Sequence, residues 1–202
     1  FLKRLIDIVG SLIGLIVLSP IFLIVTIAIK LDSKGPIIFG HTRKGIGGKD
    51  IKVYKFRTMY QNSQEIFDNF TKEQKEEFYK NFKLENDPRV TKIGDFLRRT
   101  SIDELPQLYN VIVGQMSFVG PRPERQFFIN TLEKEIPYYN LRHIVKPGLT
   151  GWAQVKYPYG ASIEDSYRKL QYDLYYIKNY SLILDILIIL DTVKIVLFGK
   201  GR

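Results

Sequence analysis

Ile8-Val9-Gly10-Ser11-Leu12-Ile13-Gly14-Leu15-Ile16-Val17-Leu18-Ser19-Pro20-Ile21-Phe22-Leu23-Ile24-Val25-Thr26-Ile27-Ala28-Ile29 runs without a charge. At about 1.5 Å per helical residue, it is long enough to cross the hydrocarbon core of a bilayer. It is no signal peptide, because the apolar run is too long and no small-residue cleavage site follows it. Ser19-Pro20 falls mid-run, where proline removes a helical hydrogen bond and clashes with the preceding turn, so a kink is predicted. Lys3 and Arg4 on one side, with Lys30 and Lys34 on the other, give the positive-inside rule no preferred side. A helix that dips in, bends at Ser19-Pro20 and returns to the same face satisfies both observations. An ordinary kinked spanning helix is the competing reading. Asp7 beside Arg4 reads as a paired charge at the membrane interface or as a solvated helix start.

Working outward, the chain has 202 residues, 45% hydrophobic and 25% charged, which is a globular composition with room for a core. The absence of cysteine removes disulfides, thiolate nucleophiles and cysteine metal sites. With only two histidines, His41 and His143, a metal here should be a hard ion held by carboxylates. Seven of the nine net positive charges fall within residues 1–60, where ten lysines and arginines face only Asp7, Asp32 and Asp50. Clustered around an apolar segment, that excess points to anionic membrane lipids rather than nucleic acid.

Pro36-Ile37-Ile38-Phe39 and Ile51-Lys52-Val53-Tyr54-Lys55-Phe56-Arg57, joined through a glycine-rich link, predict a β-hairpin. The link Gly45-x-Gly47-Gly48-Lys49 lacks Walker A spacing and reads as a turn. Arg57, at the strand end, either reaches a phosphate or is simply exposed. From Gln61 to about Leu84, Phe67, Phe70, Phe78 and Phe82 suit amphipathic helices and read as core or membrane-facing contacts. Asn86-Asp87-Pro88-Arg89 breaks that pattern. Ile93, Phe96 and Leu97 then predict a short amphipathic helix delivering Arg98 and Arg99. Leu105, Leu108, Val111 and Ile112 predict another, ending near Gly114.

Between those helices stands Arg98-Arg99-Thr100-Ser101-Ile102-Asp103-Glu104-Leu105-Pro106. Ser101-x-x-Glu104 has the form of a capping box, with Asp103 as an acid in the first helical turn. Two adjacent carboxylates behind two arginines also invite a chemical reading. Met116-Ser117-Phe118-Val119-Gly120-Pro121-Arg122-Pro123 brackets one arginine between two prolines, which holds its backbone rigid and presents a bidentate phosphate donor at low entropic cost. Lys146-Pro147-Gly148-Leu149-Thr150-Gly151-Trp152-Ala153-Gln154-Val155 is a turn-rich loop with the only tryptophan, and reads either as part of a nucleotide pocket or as a structural loop.

These motifs, in this order, closely resemble the bacterial sugar transferases, the monotopic phosphoglycosyl transferases. They are Lys3-Arg4-x-x-Asp7, Ser19-Pro20, Tyr54-Lys55-Phe56-Arg57, Ser101-Ile102-Asp103-Glu104-Leu105-Pro106-Gln107, Ser117 to Pro123 and Pro147 to Gln154. The resemblance covers essentially the whole chain. It implies an α+β, mainly helical fold: a re-entrant membrane helix over residues 1–31 broken at Ser19-Pro20, then a cytoplasmic-face catalytic domain over residues 32–202 with a small β-hairpin and amphipathic interfacial helices. The implied activity is transfer of a sugar 1-phosphate from a UDP-sugar to a polyprenyl (undecaprenyl) phosphate with Mg2+, releasing UMP, at the cytoplasmic face of the bacterial inner membrane. That is the first membrane step of a surface glycan or exopolysaccharide.

By the same resemblance the catalytic pair falls on Asp103 and Glu104, with Asp103 the nucleophile that forms an acyl-phosphate-type intermediate and both residues near the metal. Glu104 supports either the metal or a proton transfer. Arg57, Arg98 and Arg122 are implied phosphate clamps, and Asp173 matches an acidic family position. Lys146, Trp152 and Gln154 are expected at the substrate. A membrane-bound Mg2+-dependent phosphohydrolase is the alternative reading, and a non-enzymatic basic module the least favoured. The tail from Ser181 to Phe198, interrupted by Asp185, Asp191 and Lys194, predicts an interfacial or docked amphipathic helix rather than a second crossing. The start at Phe1 leaves a fragment of a longer chain as an expectation. An oligomer is allowed, and no residue fixes the sugar.

Overall fold

The computed structural model describes residues 1–81, 84, 86–157, 160 and 162–198. Phe82, one of the four aromatics of the predicted amphipathic segment, lies outside the described residues. Among the described residues the fold is mainly helical with two small sheets. Helices α1 (Leu2–Val17) and α2 (Ser19–Asp32) meet at Leu18 with a bend of 60°. Pro20 stands in the first turn of α2, where its missing N–H costs nothing, and the Ser19 hydroxyl donates to the Ile16 carbonyl at 2.7 Å. The apolar run therefore ends one helix and starts another instead of kinking a continuous one. Among the described residues no single helix is long and apolar enough to cross a membrane, whereas this bent pair together has that length and composition.

The predicted hairpin forms from β1 (Ile38–Lys44) and β2 (Asp50–Phe56), antiparallel with Ile38 opposite Phe56 and Lys44 opposite Asp50. Phe56 packs against Val25, Ile29 and Leu97, so the hairpin sits on the inner face of α2. Helices α3 (Ser63–Asp68) and α4 (Lys72–Asn81) follow, and the rings of Phe67, Phe70 and Phe78 surround the Arg89 guanidinium at 5.0–5.2 Å. Those aromatics are internal contacts around one cation, itself paired with Asp87 at 2.6 Å.

After α5 (Lys92–Arg99) the expected capping box does not form. Ser101 takes a left-handed conformation with φ of 56°, makes no side-chain cap bond, and Ile102–Glu104 is a separate 3-10 turn ahead of α6 (Gln107–Ile112). The Glu104 carboxylate points to other partners, described below. Reciprocal capping pairs form elsewhere: Thr71 with Gln74 ahead of α4, and Ser162 with Asp165 at the start of α9 (Ile163–Lys178).

A second sheet has no counterpart in the sequence reading: β3 (Ser117–Val119) pairs in parallel with β4 (Gly148–Thr150). The two strands reach each other because Gly120 and Gly148 carry no side chain; a Cβ at Gly148 would lie 2.1 Å from the Gly120 nitrogen. Helix α7 (Gln126–Glu135), a 3-10 segment over Tyr139–Ile144, and α9 share a core of Ile129, Leu132, Ile136, Tyr139 and Leu170. Short α8 (Trp152–Lys156) leads to α9, and α10 (Leu182–Phe198) closes the described chain. On α10, Asp185 and Asp191 turn inward to Lys3 (2.6 Å) and Lys156 (2.7 Å), while Ile183, Ile186, Leu187, Leu190 and Val193 face outward. The helix is docked by Asp185 and Asp191, and its exposed face is apolar apart from Lys194.

Candidate active site

Strand β2, the 3-10 turn and the segment after β3 bring three groups together. Lys55 leaves β2 and places its ammonium 2.6 Å from Glu104 Oε1 and 3.4 Å from Asp103 Oδ2. Arg122 arrives from the other side and donates to both Glu104 oxygens, at 2.6 Å through Nη2 and 3.3 Å through Nη1. Pro121 and Pro123 flank it, so a planar fork meets a carboxylate with little loss of entropy. Burial alone would push the Glu104 carboxyl up, but Arg122 and Lys55 overcome it and hold the group well below the usual carboxylate range. Glu104 is thus a fixed anion that aligns two cations. Asp103 beside it is 4% exposed.

Behind Arg122, Arg142 donates to the Arg122 carbonyl at 3.0 Å, to the Tyr139 hydroxyl at 2.5 Å and pairs with Asp173 at 2.8 Å. Asp173 is therefore no surface acid; it is buried, and burial pushes its carboxyl up to about 6 against the pull of Arg142. Through Arg142 it braces the backbone that carries Arg122.

A further group of cations lies on β1 and at the residue ahead of α7. Arg125 meets His41 at 2.9 Å, and Arg43 donates to the Pro123 carbonyl at 3.3 Å and faces Glu124 at 3.5 Å. Burial, with Arg125, Arg43, Lys55 and Arg98 nearby, lowers His41 to about 4, so its ring is neutral near pH 7. The neighbourhood is electropositive, as a site for a diphosphate should be.

The expected residues divide between this centre and its supports. Asp103, Glu104 and Arg122 converge. Arg98 comes from α5, which is pressed against the chain after β2 at Gly94, and its Nε donates to the Thr58 hydroxyl at 2.9 Å. Arg57 lies elsewhere: its guanidinium donates to the carbonyls of Ser33 (2.8 Å), Lys34 (2.9 Å) and Pro36 (2.6 Å), fastening the connection between α2 and β1. Lys146 sits near Gly114 and Arg4 at the start of α1, and burial with Arg4 pushes its ammonium down. The Trp152 indole stacks on Tyr175 with centroids 5.9 Å apart, beneath the Lys156 ammonium at 4.8 Å. Gln154 Nε2 donates to the Leu149 carbonyl at 3.2 Å, and its Oε1 is buried without a partner among the described residues. Lys55, Arg142, Arg43 and Arg125 were not singled out by sequence reasoning. Lys55 had a signal, since period two places it on the same strand face as Val53, two residues before Arg57.

Among the described residues no group of three or more acidic or histidine side chains is placed to form a metal cage. The two adjacent carboxylates Asp103 and Glu104 offer only hard oxygen donors, which fits an ion such as Mg2+ that shares its shell with substrate phosphates.

Residues 1–199 match the family model for bacterial sugar transferases. The chain is 44% identical over 201 residues to the UDP-N-acetylgalactosamine-undecaprenyl-phosphate N-acetylgalactosaminephosphotransferase of Aeromonas hydrophila, an alignment covering 100% of this chain and 45% of that protein. It is 44% identical over 195 residues to the UDP-glucose:undecaprenyl-phosphate glucose-1-phosphate transferase of Escherichia coli strain K12, covering 95% of this chain and 39% of the relative. Against the undecaprenyl-phosphate galactose phosphotransferase of Salmonella typhimurium the identity is 42% over 204 residues, covering 100% and 41%. The chain spans less than half the length of these relatives. The match of a family model to nearly every residue, together with these identities, establishes that the chain belongs to the bacterial sugar transferase family.

Proposed function

We propose that this protein transfers a sugar 1-phosphate from a UDP-sugar to a polyprenyl phosphate, with Asp103 as the covalent nucleophile. The observation that carries the reading is the clasp in which Lys55 and Arg122 hold Glu104 directly beside the buried Asp103. Donor names of the relatives support the substrate classes. Those relatives are named for three different sugars at nearly equal identity, so overall identity does not distinguish the sugar.

In the first step an Asp103 carboxylate oxygen attacks the phosphorus that bears the sugar. The bond between that phosphorus and the bridging oxygen breaks, and UMP leaves with the oxygen and its electron pair. In the second step a phosphate oxygen of the polyprenyl phosphate attacks the same phosphorus and displaces Asp103, leaving a diphosphate-linked sugar. Neither step requires a net proton transfer. Arg122 and Lys55, already fixed by Glu104, stabilise charge on the phosphoryl oxygens. Asp103 and Glu104 would hold Mg2+, which when bound neutralises the charge of the diphosphate.

The bent α1–α2 pair is read as a re-entrant segment resting in the cytoplasmic leaflet among anionic lipids, which brings the site to the acceptor's head group. The reaction would be the first membrane step of a surface glycan. With UDP-sugars and no acceptor, the expected result is a stoichiometric burst of UMP, followed by turnover once polyprenyl phosphate is added. Asp103→Asn should show neither. Turnover indifferent to the acceptor would instead favour hydrolysis.

A further inference from the structure

The first turn of α1 grips both sides of the turn that links the two halves of the candidate active site. Arg4 donates to the carbonyls of Val111 (2.5 Å) and Ile112 (2.6 Å), the end of the helix that follows Asp103 and Glu104. One turn further along α1, Asp7 is 4% exposed, and its Oδ1 accepts from the Ser117 hydroxyl and the Phe118 amide, both at 3.1 Å. Ser117 begins β3, the strand that runs into Gly120-Pro121-Arg122. Between the two grips the chain reverses at Gly114, whose φ is 85°; a Cβ there would lie 3.3 Å from Arg4 Nη2. The carboxylates thus lie upstream of this turn and Arg122 downstream, with α1 fixing both sides.

The contact is close along the helix. A Cβ on Gly10 would stand 2.8 Å from the Phe118 ring, and one on Gly14 would stand 3.3 Å from the Leu108 side chain. Lys3 adds a third tie, donating to the Val119 carbonyl at 3.2 Å while paired with Asp185 at 2.6 Å. The opposite side of α1 is different: Leu5, Val9, Leu12 and Ile16 form an exposed apolar stripe.

We propose that Asp7 is a positioning residue for the transfer reaction: by holding Ser117 and the Phe118 amide it sets β3, and hence Arg122, against Asp103 and Glu104. It does so from a helix whose outer face needs an apolar covering, so the alignment of the phosphoryl site depends on how that helix is seated. This rests on the phosphoryl-transfer reading above. A buried carboxylate that accepts two hydrogen bonds is costly to remove locally, and small displacements of a group that stabilises transferring phosphate are costly to rate.

The test compares Asp7→Leu, Asp7→Asn and Ser117→Ala in lipid nanodiscs, each alone and combined with Arg122→Ala. The readouts are the kcat and KM of UMP release from UDP-sugars, together with thermal unfolding. Asp7→Leu should lower kcat on the order of a hundredfold with little change in KM, the pattern of lost alignment rather than lost binding. Asp7→Asn keeps an oxygen for both donors and should recover most of that loss. Ser117→Ala removes only the hydroxyl donor and should lower kcat less, which keeps the test open should Asp7→Leu fail to fold. With Arg122 already removed, neither Asp7→Leu nor Ser117→Ala should cost further rate, because both act through that side chain. Losses that add to that of Arg122→Ala, or an unchanged kcat in both single variants, overturn the role of Asp7. A wild-type protein that releases no UMP from any UDP-sugar refutes the transferase reading itself and this role with it, a distinct outcome.

Discussion

Replacing Arg122 by glutamine isolates the clasp on Glu104. In the intact protein Arg122 makes contacts of 2.6 and 3.3 Å to the two carboxylate oxygens, and Lys55 adds one of 2.6 Å. These cations hold the Glu104 carboxyl well below its ordinary range against the opposing effect of burial. A carboxylate with a depressed folded pKa contributes stability that is present above its unfolded value of about 4.3 and is lost as pH falls through the folded value. In Arg122→Gln, Glu104 keeps Lys55 as its cationic partner and loses the guanidinium, so its pKa rises and the acid limb of the pH–rate profile moves upward. The loss of stability is small because the Arg122 side chain is 40% exposed and water replaces part of the interaction. After that discount it comes to about 1 kcal/mol, or roughly 2–4 °C for a chain of this size. The rate effect is larger, about 10²–10³-fold, because a donor aimed at developing phosphoryl charge is lost. UMP release measured across pH, alongside thermal unfolding, separates the two. Wild-type kcat/KM with an unmoved acid limb refutes the clasp as part of the chemistry.

Other consequences follow from single contacts. Gly94→Ala puts a Cβ 2.1 Å from the Thr58 carbonyl oxygen, a backbone atom, so α5 must shift; a loss of about 1–3 kcal/mol is expected in thermal or denaturant unfolding. His41, lowered to about 4, should stay neutral down to pH 5 in NMR titration, and Arg125→Gln should raise its pKa. Because that pKa lies below the ordinary histidine value, its contribution to stability is lost as pH falls from about 6.5 toward 4. Ser19→Ala combined with Pro20→Ala removes the break between α1 and α2. The expected result is a straighter helix that carries a tag ahead of Phe1 to the far side of the membrane; a tag that stays with the catalytic body in both proteins counts against Ser19-Pro20 as the cause of the dip.

The parts of this protein legible in sequence are those written in local pattern. Ser19-Pro20 marks the break because proline acts on its own turn, and the alternation before Arg57 marks the hairpin. Asp103 and Glu104 stand out because two adjacent acids are visible without any fold. The partners of those acids were less visible. Lys55 and Arg122 reach Glu104 from 49 and 18 residues away, and nothing in either segment announces the other. Ser101-x-x-Glu104 misled because a capping box needs Ser101 at an extended N-cap, whereas the chain turns left-handed there and frees Glu104 for its cations. Arg57 looked like a phosphate ligand from its motif; that it fastens three carbonyls at the end of α2 depends on where that helix returns. The β3–β4 pair involves three-residue strands and a close approach of two glycines, too short for any periodicity.

The most direct measurement is the mass of the protein after exposure to a UDP-sugar without acceptor. The account predicts an adduct of one sugar phosphate on the peptide that contains Asp103, formed with the UMP burst, discharged by polyprenyl phosphate and absent in Asp103→Asn. An adduct on another residue, or UMP that appears only when polyprenyl phosphate is present and with no adduct, would contradict it.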